Sequence, residues 1–120
     1  MVNDFKELIV WKQGHQLVLE VYKVTRLFPR EEMYSLVDQL RRAAISVTSN
    51  IAEGFSRRST KERVQFYSMS IGSLSEIENQ LLIGKDLGYF SEAKYTELTA
   101  MVLSVKRLMS RLISSTKLTT

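Results

Sequence analysis

Cysteine is absent from the chain of 120 residues, which excludes disulfides, thiolate zinc sites and cysteine nucleophiles. The absence also suits a reducing cytoplasm, where we expect the protein to act. With a single proline and five glycines, the chain has few points at which regular structure must break. This scarcity favours long helices over many short strands.

Features of enzymes and membrane proteins are scarce too. The one histidine, His15, cannot supply the paired Glu-x-x-His motifs of a di-iron bundle, and there is no glycine-rich phosphate loop. No apolar run approaches the roughly 20 residues that cross a bilayer, and the first residues lack the pattern of a secretory signal. We therefore expect a soluble protein that is not an enzyme, with no cofactor, metal or membrane partner.

Hydrophobic residues make up 44% of the chain and recur at steps of three and four, which is helical spacing. Four stretches show this spacing, over about 10–28, 31–52, 59–87 and 91–113. The polar tail, 114–120, is expected to fray. We predict one all-α domain over residues 1–120, folded as an up-down-up-down four-helix bundle.

Local signals mark the predicted helix ends. Gly54 is expected to end the second helix in left-handed backbone, and Gly88 to end the third in the same way. Ser59 and Glu62 have the spacing of a capping box at the start of the third helix. Ser91 is a good N-cap for the fourth.

Positive charge is concentrated rather than spread. Residues 39–63 contain six basic and two acidic residues, so their net charge of +4 equals that of the whole chain. A second zone of equal net charge follows Glu97, the last acidic residue. Such clusters indicate a polyanionic partner, so we predict contacts with nucleic acid. The candidates are Arg41, Arg42, Arg57, Arg58, Lys61 and Arg63 in the first zone and Lys106, Arg107 and Arg111 in the second.

These arginines admit two interpretations. Guanidinium groups bind phosphate oxygens through paired hydrogen bonds, and the four cations from Arg57 to Arg63 flank the start of the third helix. The same four could instead form ordinary salt bridges with Glu53, Glu62 or a neighbouring subunit, and the sequence does not favour either. Arg41 and Arg42 point about 100° apart on a helix, and for them we favour a structural role.

The polar residues Ser46, Asn50 and Glu53 share one face of the second helix, which we interpret as a hydrogen-bonded seam between helices rather than a recognition patch.

Small residues on the third helix would let another helix or subunit approach; they are Ser68, Ser70, Gly72, Ser73, Ser75 and Gly84.

Aromatic side chains could stack on bases, but most of them fall at core spacing. We expect only Tyr89 and Phe90, in a loop, to be exposed. His15 falls on an apolar stripe near Trp11 and is interpreted as a packed side chain rather than a general base.

A set of motifs in fixed order resembles one bacterial family. The motifs are Trp11 with His15, Phe28-Pro29, the run from Gln39 through Asn50-Ile51-Ala52-Glu53-Gly54, Arg57-Arg58-Ser59, Gly72-Ser73-Leu74-Ser75-Glu76-Ile77-Glu78 and Asp86-Leu87-Gly88-Tyr89. They are similar to those of the ribosomal-RNA intervening-sequence proteins, a family that includes the accessory variability protein of diversity-generating retroelements. The resemblance implies a four-helix bundle without established catalysis. It also implies a pentamer with a basic surface that works with structured RNA and a reverse transcriptase.

Our leading hypothesis is a non-enzymatic homo-oligomeric bundle that binds structured RNA or another nucleic acid. If all six basic residues of the first zone met phosphates of single-stranded RNA, affinity would fall with log salt at a slope of roughly −4. The alternative is a protein–protein interaction scaffold with structural arginines. The two differ in whether the cations of the first zone face solvent.

Overall fold

The computed structural model describes residues 1–119, which form four long α-helices and two short 3-10 helices. The α-helices are α1 (Ile9–Thr25), α2 (Leu36–Ser56), α3 (Thr60–Asp86) and α4 (Glu92–Leu118), and the 3-10 helices are Phe5–Glu7 and Arg30–Glu32. The residues described contain no strand. The prediction of an all-α fold with four helices is therefore confirmed.

Contacts between consecutive helices show that each runs antiparallel to the one before it. Thr25 at the end of α1 accepts a hydrogen bond from Arg41 near the start of α2. The end of α2 and the start of α3 meet at Gly54, and Lys85 near the end of α3 pairs with Glu92 at the start of α4. Since α4 also packs against α1, the four helices enclose one core in up-down-up-down order.

Apolar side chains from all four helices fill this core. The largest fully buried aliphatic and sulfur-containing side chains are Leu17, Leu40, Ile51, Leu74, Ile77, Leu81, Leu98 and Met109. Gly14 of α1 lets α2 approach closely, because a β-carbon at this position would lie 3.2 Å from the Thr48 methyl group. The predicted stripes therefore do face one another across a shared interior.

Three of the predicted helix ends are confirmed. The Ser59 hydroxyl accepts a hydrogen bond from the Glu62 backbone N–H at 3.1 Å, and Ser91 caps α4 through the Lys94 N–H at the same distance. Gly88 has a φ of +79°, the left-handed conformation expected of it. All three signals depend on residues close in sequence.

Other predicted boundaries are wrong. The second helix begins at Leu36 rather than near residue 31, because the chain after Pro29 first makes a 3-10 turn. Gly54 lies inside α2 without left-handed backbone. The tail is ordered into α4 as far as Leu118, since Thr116 is buried and its hydroxyl donates to the Leu112 carbonyl. Residue 120 of that predicted tail lies outside the described residues.

Candidate nucleic-acid interface

The antiparallel order brings the two basic zones of the sequence largely into one half of the molecule. When each helix is cut near its midpoint, one half comprises residues 1–17, 46–73 and 105–119, and we call it the basic half. It contains ten of the seventeen Lys and Arg residues but only four of the thirteen Asp and Glu residues. The other half, which we call the acidic half, contains seven basic and nine acidic residues.

Arg57 and Arg63 brace the turn between α2 and α3. Arg57 Nη2 donates to Glu53 Oε1 at 2.6 Å, and its guanidinium lies 4.8 Å from the centre of the Phe66 ring. Arg63 Nε donates to the Arg57 carbonyl at 2.6 Å. Both side chains are partly buried, so their first role is to hold this corner together.

Arg58 and Lys61, by contrast, are exposed on either side of the Ser59 cap. Neither side chain forms an ion pair or a hydrogen bond with any residue between 1 and 119. An exposed cation without a protein partner is available to neutralise a phosphate. The four residues that the sequence could not separate therefore divide into two structural arginines and two free cations.

Arg41 and Arg42 lie in the acidic half, away from the other candidates. Arg41 Nε donates to the Thr25 hydroxyl at 2.9 Å, and its guanidinium lies 4.4 Å from the centre of the Tyr22 ring. It therefore links α1 to α2 through a hydroxyl and a ring, as the structural role favoured for it requires. Arg42 pairs with Asp38 one turn earlier at 3.0 Å and remains largely exposed.

The second basic zone also divides. Lys106 forms an ion pair with Glu78 of α3 and so joins two helices. Arg107 and Arg111 are exposed, without a hydrogen bond or an acidic partner in the part of the chain that the structure describes. Together with Leu103 and Ser110 they line a shallow groove on α4. Arg107 and Arg111 are thus the free cations of this zone.

The polar seam lies partly between helices. Ser73 of α3 donates to the Ser46 hydroxyl at 2.9 Å, and Ser70 donates to the Val47 carbonyl at 2.7 Å. Within residues 1–119, the Asn50 side chain donates only to Ser46 of its own helix. Glu53, the third predicted member of the seam, is exposed and forms an ion pair with Arg57 instead. The small residues of α3 therefore divide: Ser70 and Ser73 contact α2, whereas Gly72 faces open space.

The prediction of exposed aromatic residues is wrong at Phe90. Phe90 is 9% exposed, because it stacks on Phe28 where Gly84 leaves room. Tyr89 is half-buried, and its hydroxyl donates to Glu32 at 2.6 Å, which raises the pKa of Tyr89 to about 12.

Aromatic rings other than those of Tyr89 and Phe90 do reach solvent. His15 is exposed rather than packed in the core, and it stacks on the half-buried Trp11. Tyr34, near the start of α2, is 93% exposed. The spacing of Trp11 and His15, four residues apart on one helix, was a signal for the stacked pair.

The described part of the chain has neither a metal-binding cluster nor a membrane-spanning helix. No group of three or more His, Asp or Glu side chains between residues 1 and 119 could hold a metal ion. Among these residues no helix is both long and apolar enough to cross a bilayer.

Fold and charge distribution together define the class: a small antiparallel four-helix bundle with unequally charged halves. The chain belongs to the 23S rRNA-intervening sequence protein family, whose model matches residues 6–111. A similar solved structure is a protein of unknown function from the S23 ribosomal protein family of Bacteroides thetaiotaomicron VPI-5482. It has a TM-score of 0.81 at 15% identity, and the match covers 88% of this chain and 98% of that one. No curated protein matches the chain.

Proposed function

We propose that this protein is a cytoplasmic, non-enzymatic RNA-binding bundle that works as a homo-oligomer and contacts phosphates through its basic half. The family description names an intervening sequence of 23S rRNA, which supports RNA as the polyanion. That description names no catalytic activity, and the similar solved structure is of a protein whose function is unknown.

One observation carries the proposal. Four exposed cations of the two basic zones lie in the basic half without a carboxylate partner within residues 1–119, although that half also contains four acidic residues; these cations are Arg58, Lys61, Arg107 and Arg111. Unpaired cations concentrated in one region give a positive potential that attracts nucleic acid and steers its approach. A scaffold whose arginines were all structural would not leave these four unpaired.

Exposed apolar residues support the oligomer. Leu19 and Ile45 are both 43% exposed and line a groove between α1 and α2. A second copy that covered such surface would also multiply the basic half, so weak phosphate contacts would add through avidity. The number of subunits, five, is proposed only on the resemblance to the retroelement proteins.

The test is a salt titration of binding to a labelled structured RNA. We expect Arg58→Gln/Lys61→Gln to weaken binding and to make the slope of log affinity against log salt shallower by about 1.4 to 1.8, the contribution of two phosphate contacts. The matched control is Arg26→Gln/Arg30→Gln, which removes two exposed cations from the acidic half. The control should bind like the wild type.

Two outcomes would count against the proposal. Equal losses in the two double variants would mean that only net charge matters and that the basic half is not a site. No binding of any RNA at low salt would favour the alternative, a protein–protein interaction scaffold, and the search would turn to a protein partner.

A further inference from the structure

An aromatic stack lies on the surface of the basic half, on the first turns of α1. The Trp11 and His15 rings are nearly parallel, with an interplanar angle of 15° and centres 4.9 Å apart. Phe5 meets Trp11 edge-on at 5.4 Å and supports it from the 3-10 helix. Trp11 also packs against the core, whereas His15 is exposed. The stack is therefore anchored at Trp11 and reaches solvent at His15.

The polar atoms at the edges of these two rings are available for hydrogen bonds. Neither the Trp11 indole N–H nor either ring nitrogen of His15 makes a hydrogen bond within the described residues. Lys12 lies three residues before His15, which makes the two neighbours on the helix surface. Lys12 is exposed and forms no ion pair with residues 1–119. A ring face, free hydrogen-bonding edges and an unpaired cation thus lie side by side.

This combination matches the chemistry of a single nucleotide. A base presents a flat π-face and polar edges, and its phosphate carries one negative charge. Proteins that bind single strands combine aromatic faces with cations in this way. Within a duplex both faces of every base except those of the terminal pairs are covered by neighbours, so an unpaired base is the one that can extend the stack along a strand.

We propose that the Trp11–His15 stack binds an unpaired base of RNA, with Lys12 on the adjacent phosphate. The proposal rests on the RNA-binding function above and narrows it to RNA with single-stranded positions, such as loops, bulges or ends. The free cations of the basic half then hold the flanking backbone, and the stack selects for unpaired nucleotides.

Because Trp11 is the only tryptophan, its fluorescence reports on this site alone. The probes are a short oligouridylate, which has little structure of its own, and an RNA duplex of the same strand length. We expect the oligouridylate to change Trp11 emission on binding, and the duplex to bind through the cations without changing it. Equal effects from the two probes would overturn the proposal.

Variants at the exposed ring complete the test. His15→Ala should lower the affinity for oligouridylate about fivefold or more and leave that for the duplex unchanged. His15→Tyr keeps a ring face and should restore binding. Tyr34→Ala removes an exposed aromatic ring from the acidic half and should have no effect. Circular dichroism of each variant checks that the helices remain intact.

The failure of this proposal can be told apart from failure of the proposed function. If both RNAs bind with a steep dependence on salt but His15→Ala changes neither affinity, the stack is structural and the basic half still binds RNA. If neither RNA binds at low salt, both proposals are wrong.

Discussion

At the scale of single residues, two glycines within helices have opposite surroundings. A β-carbon at Gly54 would lie 2.7 and 2.9 Å from two ring carbons of Tyr67, which is 1% exposed. A β-carbon at Gly72 would meet nothing within 4 Å. Gly54 is therefore needed for the close approach of α2 and α3, whereas Gly72 meets no such packing requirement.

Substituting alanine for Gly54 and for Gly72 tests whether each position requires a glycine. Gly54→Ala should lower the free energy of unfolding by about 1–2 kcal/mol, since overpacking of a buried ring outweighs the gain in helix propensity. Gly72→Ala should raise it by up to about 1 kcal/mol. Urea denaturation of both variants measures this. A stabilised Gly54→Ala would mean that Tyr67 moves aside easily and that the contact is loose.

At the scale of a helix, the start of α3 is held by its cap and lies between the free cations. The Ser59 hydroxyl accepts from the Glu62 N–H at 3.1 Å and donates to the Glu62 carboxylate at the same distance. The backbone that carries Arg58 and Lys61 is thereby fixed at the first turn of α3.

Ser59→Ala should lower the free energy of unfolding by about 1 kcal/mol, because an N–H at the helix start loses its acceptor. Ser68→Ala is the control, as Ser68 is exposed in the interior of the same helix and its hydroxyl makes no hydrogen bond within residues 1–119. Thermal unfolding of the two variants compares them. Equal midpoints would show that the cap contributes nothing to stability.

The features that the sequence predicted correctly depend on residues that lie close together along the chain. Hydrophobic spacing within each helix predicted the four helices, and the caps at Ser59 and Ser91 depend on residues three positions apart. Gly54 was misassigned because the reason for a glycine there is Tyr67 on another helix. Phe90 was misassigned because Phe28 and Gly84, distant in sequence, cover it. The partners of Arg41 likewise lie on another helix, at Thr25 and Tyr22.

At the scale of the molecule, two contacts join distant elements of the acidic half. Glu20 of α1 accepts a hydrogen bond from Lys94 of α4 at 3.1 Å, and Glu32 accepts one from Tyr89 in the α3–α4 turn. Bonds from Lys23 and Lys94 lower the pKa of Glu20, and bonds from Ser35 and Tyr89 lower that of Glu32. Both carboxylates therefore stabilise the fold in their ionised form.

The stability of the fold should therefore decrease as the pH falls. A carboxyl group whose pKa is lowered by folding contributes its stability above its unfolded pKa and loses it as the pH falls through the folded value. Between about pH 5 and pH 3 the thermal midpoint should fall, and it should fall less for Glu20→Gln/Glu32→Gln. The control, Glu31→Gln/Glu76→Gln, changes two exposed acids without such bonds and should follow the wild type. If the thermal midpoint of Glu20→Gln/Glu32→Gln fell as much as that of the wild type, these two carboxylates would not be the source of the pH dependence.

The unequal division of charge has a consequence for how the molecule moves. The bundle is a rod with principal extents of 47 × 25 × 20 Å, and its two halves carry charge of opposite sign. Such a rod has a permanent electric dipole moment along its length, so the field of a polyanion exerts a torque on it as well as a pull. Near a polyanion the rod would turn its positive end forward before contact, and added salt would weaken this alignment because it screens charges over distances longer than the Debye length.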